Sequence, residues 1–148
     1  VLLAKRLGYR FLDSDLMIQQ GVGHQTEEII RDEGLAGFLA IEEQVNREIE
    51  TERTVIAPGG SVIYGPSAME HLKEISTVVY LKISCEDLER RLGNLKDRGV
   101  ALREGMTLRD LYQERVPLYE KYADVTIEES GKTSGQVVDE LRMMVEWG

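Results

Sequence analysis

The sequence predicts an α/β fold with a parallel sheet. Short apolar segments rich in β-branched residues alternate with longer amphipathic segments of helical period. This alternation is typical of chains in which helices connect parallel strands. The segment 77–83 gives the strongest strand signal, because it is nearly continuously apolar and β-branched, as strands buried on both faces are.

Length and composition describe one globular domain. The chain has 148 residues, 42% of them hydrophobic and 30% charged, with a net charge of −9 and no basic tract. We therefore expect neither nucleic acid nor an anionic membrane surface as a partner. The single cysteine, Cys85, excludes an intrachain disulfide and fits a reducing compartment. With no apolar run of transmembrane length and no signal peptide, the sequence predicts a cytoplasmic protein.

The helices and strands are predicted from the spacing of apolar residues and from the residues that cap or end an element. The first seven residues look like the second half of a helix that stops at Gly8, so the chain looks truncated at its start. Thr107 with Asp110, and Ser84 with Asp87, are expected to cap helices. The predicted strands are 10–13, 54–57, 77–83 and 125–127, and the predicted helices are 1–7, 16–20, 26–33, 35–52, 67–73, 85–92, 107–122 and 137–147.

The stretch with the clearest chemistry is 10–15, where a strand-like run ends in Asp13 and Asp15. Alternate residues of a strand face the same side, so both carboxylates are expected to project from its carboxyl end. Ligands of open α/β sheets bind at that end. Two acids there suit Mg²⁺, a phosphate-bearing partner, or acceptance of a proton from a substrate hydroxyl. The alternative is a surface turn, since Asp-Ser-Asp is common turn chemistry.

Glycines follow the second predicted strand. Pro58-Gly59-Gly60 comes directly after the segment 54–57. Because glycine has no Cβ, backbone amides at such a turn can approach a ligand closely. A plain turn is the alternative interpretation.

A second glycine motif, Gly131-Lys132-Thr133-Ser134, imitates the end of a P-loop. The first glycine of that motif would fall at position 126, which is Thr126. Glu128 and Glu129 would also repel phosphates. A connecting loop that contacts a nucleotide base is therefore favoured over a phosphate loop.

Three arginines are candidate ligand contacts. Arg91 ends a predicted helix, Arg98 lies in the polar loop that follows, and Arg115 lies near the end of a later helix. Any one of them could equally be solvated surface. A loop arginine that closes over a phosphate is a usual device in phosphoryl transfer, where positioning and charge stabilisation dominate.

The order and spacing of short motifs give a resemblance that covers essentially the whole chain. The residues that carry it are Leu3-Ala4-Lys5-Arg6-Leu7-Gly8, Phe11-Leu12-Asp13-Ser14-Asp15, Gly23, Glu28-Ile29, Gly34, Phe38, Glu42-Glu43, Ile56-Ala57-Pro58-Gly59-Gly60, Val78-Val79-Tyr80-Leu81, Arg98, Arg115-Val116-Pro117-Leu118-Tyr119 and Ala123-Asp124. In these residues the chain resembles the shikimate kinases, small P-loop kinases of aromatic amino-acid biosynthesis. The resemblance implies a three-layer α/β/α architecture like that of the nucleoside monophosphate kinases, and a monomer. It also implies Mg²⁺ and ATP, and a small polyhydroxylated carboxylate as acceptor, with shikimate the first choice.

The resemblance implies roles at the acceptor side. Asp15 is similar to the carboxylate that holds the shikimate hydroxyls and takes the proton from the attacking one. Gly59 and Gly60 resemble the glycines whose backbone meets the substrate near the transferred phosphate. Arg115 matches an arginine that binds the substrate carboxylate.

Other roles concern the nucleotide. Asp13 resembles the residue that supports Mg²⁺ through water, and Arg98 matches the lid arginine that reaches the phosphates. Arg91 and the loop from Lys132 to Ser134 fall where the family flanks the adenine. The lid, about 93–106, is expected to close on binding and to exclude water.

Three departures from the family pattern concern the substrate more than the fold. Leu39 replaces the arginine of the pattern F-R-x-x-E, so Glu42 loses the partner that it usually steadies. Arg47, two turns further along the helix, is a weak candidate to compensate. Pro58 leaves two glycines of the usual three, and residues 99–102 replace the usual Pro-Leu-Leu with Gly-Val-Ala-Leu.

The family's first strand and its P-loop have no counterpart here. In that fold this strand lies between the strands predicted at 54–57 and 77–83. We therefore expect roughly 15 to 20 further residues upstream, for a strand, the phosphate loop and the first helical turn. Without such a segment, catalysis is not expected, because no other part of the chain supplies a phosphate cradle.

Three rival readings stay open. The first is a related kinase for another polyhydroxy acid, which Leu39 motivates. The second is a catalytically inactive, kinase-like module that binds a ligand or a partner protein. The third is a nucleoside monophosphate kinase, which would require more basic residues at the acceptor site.

Overall fold

A computed structural model describes residues 1–23, 26–92 and 105–145 of the chain. Within those ranges helices and short strands alternate, as the sequence predicts. The elements are α1 (Leu2–Leu7), β1 (Arg10–Asp13), α2 (Ser14–Val22), α3 (Thr26–Arg47), β2 (Thr54–Ala57), a 3₁₀-helix (Gly60–Tyr64), α4 (Pro66–Ile75), β3 (Val79–Lys82), α5 (Cys85–Leu92), α6 (Leu108–Tyr122), β4 (Val125–Glu128) and α7 (Ser134–Met144).

The strands form two parallel pairs. β1 pairs with β2, with Arg10 opposite Thr54 and Asp13 opposite Ala57. β3 pairs with β4 in the same sense. Within the described ranges the two pairs are not hydrogen-bonded to each other. The upstream strand expected between β2 and β3 stays a prediction.

The third strand begins two residues later than the sequence predicts. The N–H of Val78 donates to the carboxylate of Asp124 at 2.8 Å. The carbonyl of Val78 accepts from the backbone N–H groups of Asp124 and Val125, at 2.8 and 3.1 Å. Because these bonds occupy Val78, the regular strand starts at Val79.

Several helices differ from their predicted bounds, and the differences at α2 and α3 have visible causes. α2 continues through Gly21 and ends at Gly23, whose φ is 84°. Gly34 interrupts α3 with φ 75° and ψ 168°, which confirms the predicted break. The second part of α3 ends at Arg47 rather than at residue 52, because its last turn tightens and the N–H of Ile49 donates to Asn46 at 3.3 Å.

The predicted N-terminal caps of α5 and α6 are present. Ser84 Oγ accepts from the N–H of Asp87 at 3.2 Å. Thr107 and Asp110 exchange two such bonds, each of 3.1 Å, in a capping box.

The start of α7 differs from the prediction of residue 137. Thr133 Oγ accepts from the N–H of Gln136 at 3.2 Å, and the Gln136 side chain accepts from the N–H of Thr133 at 2.8 Å. This second capping box starts the helix at Ser134. The end of the P-loop imitation is thus a helix cap.

Within the part of the chain that the structure describes, the core contains three buried apolar clusters. One joins the 3₁₀-helix to α4 and α6, one joins α2 to α3, and one joins β4 to α7. The first therefore packs directly beneath the turn that follows β2. The buried members are Val62, Ile63, Ala68, Met69, Leu72 and Tyr122; Ile18, Ile29 and Phe38; and Ile127, Val137 and Leu141.

Two further observations concern the limits of the fold. No helix in the described ranges is long and apolar enough to cross a membrane. The predicted lid, 93–106, lies outside the described residues except for Gly105 and Met106.

Candidate active site

The first site residue, Asp15, lies in the first turn of α2 rather than on a strand. β1 ends at Asp13, whose carboxylate accepts from the N–H of Leu16 at 3.2 Å and so caps the helix. The strand alternation expected to align the two acids therefore does not apply. Asp13 still acts on Asp15: burial is the largest effect that raises the pKa of Asp15, and the charge of Asp13 adds to it.

Two carboxyl groups fill the space beside Gly59. A Cβ at this position would lie 2.7 and 3.1 Å from the two carboxylate oxygens of Asp15. It would also lie 3.1 Å from Oε2 of Glu42. The backbone of Gly59 has φ −62° and ψ 156°, which any residue adopts. A larger residue at this position would therefore displace the two carboxyl groups, although its backbone conformation would be unstrained.

The next residue, Gly60, faces a guanidinium. A Cβ there would lie 2.9 Å from Nη1 of Arg115 and 3.0 Å from the hydroxyl of Tyr119. That hydroxyl donates to the carbonyl of Gly60 at 2.7 Å, and the ring of Tyr119 stacks on Tyr80 with centroids 5.1 Å apart. The turn thus has a carboxylate on one side and a guanidinium on the other.

Arg115 is held by its neighbours on α6 and the 3₁₀-helix. Its guanidinium lies 5.4 Å from the centroid of the Tyr64 ring. The Tyr64 hydroxyl donates to Glu114 at 2.5 Å. Burial, followed by that hydrogen bond, raises the pKa of Tyr64, so the hydroxyl stays a neutral donor.

Glu42 was expected only to have lost its arginine partner, and the structure places it beside the turn at Gly59. Its side chain is 1% exposed, and the hydroxyl of Ser61 lies 2.7 and 2.9 Å from its two oxygens. Burial raises the pKa of Glu42 to about 7; the Ser61 hydrogen bond and Arg115 oppose this rise, and Asp15 adds to it. The sequence feature that could have indicated its place in the site is an ionisable residue one helical turn after Phe38, on the apolar side of α3.

Leu39 occupies the position of the missing family arginine, and Arg47 was the candidate to compensate for it. Leu39 is partly buried and packs against the apolar cluster of α2 and α3. Arg47 is exposed at the end of α3. The suggestion that Arg47 compensates for the missing arginine stays a prediction.

The predicted nucleotide contacts belong to the other strand pair. Arg91, at the end of α5, forms an ion pair with Glu129 at 2.7 Å. Lys132, after β4, forms one with Glu140 at 2.9 Å. Arg98 lies outside the described residues.

Solved structures define the class of protein. One is a shikimate kinase from Acinetobacter baumannii in complex with shikimate. The match covers 94% of this chain and 79% of that protein, with a TM-score of 0.85 and 34% identity. One from Aquifex aeolicus matches 96% over 84%, with a TM-score of 0.81 and 29% identity. These likenesses confirm the predicted fold: the chain has the α/β architecture of the P-loop kinases.

Sequence relatives narrow the class to a family. The family model described as shikimate kinase matches residues 1–146. The shikimate kinase of Chlorobium chlorochromatii is 36% identical over 98% of this chain and 82% of its own. The shikimate kinase of Thiobacillus denitrificans is 40% identical over 86% of this chain and 71% of its own. The chain belongs to the shikimate kinase family. It is therefore a phosphotransferase, and membership of a kinase family implies the use of ATP.

Proposed function

We propose that this chain phosphorylates a hydroxyl of shikimate with ATP. The observation that carries the proposal is the turn Gly59-Gly60, with Asp15 against the first glycine and Arg115 against the second. A carboxylate and a guanidinium on two sides of one turn suit an acceptor with a hydroxyl at one end and a carboxylate at the other. The similar structure from Acinetobacter baumannii is a complex with shikimate.

Asp15 orients the attacking hydroxyl and accepts its proton. Phosphoryl transfer asks little covalent chemistry of the protein, so a correctly placed base and charge stabilisation supply most of the catalysis. Burial and the charge of Asp13 raise the pKa of Asp15. A raised pKa makes this carboxylate a stronger base than an exposed aspartate.

Arg115 holds the acceptor carboxylate. A guanidinium binds a carboxylate with two parallel, charge-assisted hydrogen bonds, which fix its orientation as well as its position. The face of Tyr64 lies against this guanidinium. The bond from Tyr119 to Gly60 keeps the turn between base and anchor in one conformation.

We propose that Asp13 supports Mg²⁺ through water. One oxygen of its carboxylate caps α2, which leaves the other for a water molecule of the ion. The described residues contain no group of three His, Cys, Asp or Glu side chains that could hold a metal ion alone. This fits Mg²⁺, which commonly keeps several waters and shares one or two carboxylates with substrate phosphates. When bound, the ion neutralises charge on the phosphates of ATP.

Arg98, Arg91 and Lys132 stay predicted ATP contacts. The ion pairs of Arg91 with Glu129 and of Lys132 with Glu140 support a role in shaping the loop beside the nucleotide base. A single domain over 1–148, a cytoplasmic location and a monomeric state also stay predictions. Sedimentation velocity of the complete protein would test the last.

A second candidate function is the phosphorylation of another polyhydroxy acid. Leu39 packs into an apolar cluster, so the acceptor carboxylate has one arginine fewer than the family pattern supplies. Loss of one charge-assisted contact costs about 1.5–3 kcal/mol of binding unless another group replaces it.

The experiment is an assay of ADP release by the complete protein that the gene encodes. Each polyhydroxy acid is supplied with Mg²⁺ and ATP in turn: shikimate, quinate and gluconate. The proposal requires release that depends on shikimate and gives a phosphorylated shikimate by ³¹P NMR. Turnover with quinate or gluconate alone would support the second function, and no turnover with any acceptor would contradict both.

A further inference from the structure

Ser61 is the side-chain hydrogen-bond partner of Glu42 and supplies one hydrogen to it. The Ser61 hydroxyl lies 2.7 Å from Oε1 and 2.9 Å from Oε2 of the carboxyl group. A serine hydroxyl carries one hydrogen and can also accept. The same two distances fit a protonated Glu42 that donates back to Ser61 and an ionised Glu42 whose two oxygens share the one hydrogen, so the surroundings decide between the two forms.

The surroundings of Glu42 do not favour a charge. The side chain is 1% exposed, and burial is the largest of the effects that raise its pKa. The residue at the family's arginine position, Leu39, brings no cation. Burial disfavours the charged form of a carboxyl group, and at Glu42 this effect is larger than the opposing effect of Arg115.

A second carboxyl group lies close by. Oxygens of Glu42 and of Asp15 both lie within 3.1 Å of a single point beside Gly59. Two carboxylates that share a site repel each other, so one of the two tends to keep its proton. Asp15 is the less buried of the pair and faces the acceptor, whereas Glu42 is the enclosed one.

We propose that Glu42 is a positioning residue that works as a neutral carboxylic acid bonded to Ser61, leaving Asp15 as the single negative charge beside the acceptor hydroxyl. The inference rests on the proposed function and concerns the same site. It makes Glu42 a determinant of how well an anionic acceptor is tolerated, because an ionised Glu42 would repel both that acceptor and the phosphates.

Among the described residues, two charged side chains act on Glu42. Asp15 acts on it from α2 and Arg115 from α6, while the 3₁₀-helix presents the neutral Ser61. From α4, Ser67 contacts the neighbouring Glu43 with a backbone N–H and a hydroxyl, at 3.1 and 2.9 Å. Glu42 should therefore ionise as the pH rises through about 7.

The first test needs no substrate and so does not depend on the proposed function. Infrared difference spectra of the complete protein are recorded while the pH is raised, for wild type, Glu42→Gln and the exposed control Glu48→Gln. A protonated-carboxyl band that disappears near pH 7 in wild type and in Glu48→Gln, and is absent from Glu42→Gln, is the expected result. Titration of that carboxyl near the usual glutamate value of 4.5 would overturn the proposal.

The second test follows kcat/KM for shikimate against pH. We expect wild type to lose about tenfold between about pH 6 and about pH 8.5, as one repulsive charge appears. Glu42→Gln, a neutral mimic, should keep the acid-side activity within about threefold and lack that decline. A Glu42→Gln profile parallel to that of wild type, or one as depressed as that of Asp15→Asn at every pH, would overturn the proposal. Circular dichroism of each variant separates these outcomes from misfolding.

Discussion

Substituting Gly59 by alanine would place a methyl group too close to the Asp15 carboxylate. The added Cβ would be 2.7 Å from Oδ1, whereas ordinary contacts begin at 3.4 Å. The carboxylate therefore has to retreat by about 0.7 Å, and a displacement near 1 Å at a reacting group can cost about 10²-fold in rate. We expect kcat to fall roughly 10- to 100-fold, or about 1.4–2.7 kcal/mol in the barrier.

The stability of the Gly59→Ala variant should change much less than its rate. The backbone at Gly59 already has φ −62°, which alanine adopts without strain, and the atoms met are the ends of side chains. The free energy of unfolding should change by less than about 1 kcal/mol. The assay is steady-state ADP release with saturating shikimate, accompanied by urea denaturation.

Gly21→Ala is the matched control for this prediction. Gly21 lies inside α2, and a Cβ there would meet nothing within 4 Å. Alanine should stabilise this helix by about 0.5–1 kcal/mol and leave kcat unchanged. The reasoning is refuted if Gly59→Ala keeps full kcat, or if both variants lose it equally.

Two further predictions concern binding and stability. Arg115→Lys removes the pair of parallel hydrogen bonds that a guanidinium donates to a carboxylate. KM for shikimate should therefore rise roughly 10- to 100-fold with kcat nearly unchanged. An unchanged KM would show that the carboxylate binds elsewhere. Asp124 accepts from the N–H of Val78 and from Lys73, at 2.8 and 2.9 Å, and both bonds lower its pKa below 3.8. The stability that ionised Asp124 gives the folded state is therefore present above pH 3.8, and it is lost as the pH falls through the lower pKa that Asp124 has in the folded state. Asp124→Asn should cost up to about 1 kcal/mol in urea denaturation at pH 7, because the side chain is 40% exposed, and nothing at low pH; an equal loss at both would contradict the assignment.

Local signals predicted most of the fold. Strands and helix caps depend on residues within a few positions of each other, so the Ser84 and Thr107 caps could be identified directly. The start of β3, which differs from its predicted position, depends on a contact between residues far apart in the sequence. Val78 leaves its strand because Asp124 binds its N–H, and those residues are 46 positions apart.

The site was predictable in part for the same reason. Asp15 and the turn at Gly59 both follow strands, and the carboxyl ends of parallel neighbours meet at one edge of a sheet. Glu42 was not predictable as a site residue, because it occupies the apolar side of a long helix. Its role depends on Ser61, 19 positions away.

The central claim is that Asp15 and the turn beside it form the acceptor site of a shikimate-phosphorylating enzyme. The most direct measurement is shikimate-dependent ADP release by the complete protein, wild type against Asp15→Asn, with KM for ATP recorded in parallel. The account predicts turnover by wild type and a loss of about 10²- to 10⁴-fold in kcat for the variant, with KM for ATP nearly unchanged. Equal turnover by the two proteins would contradict it.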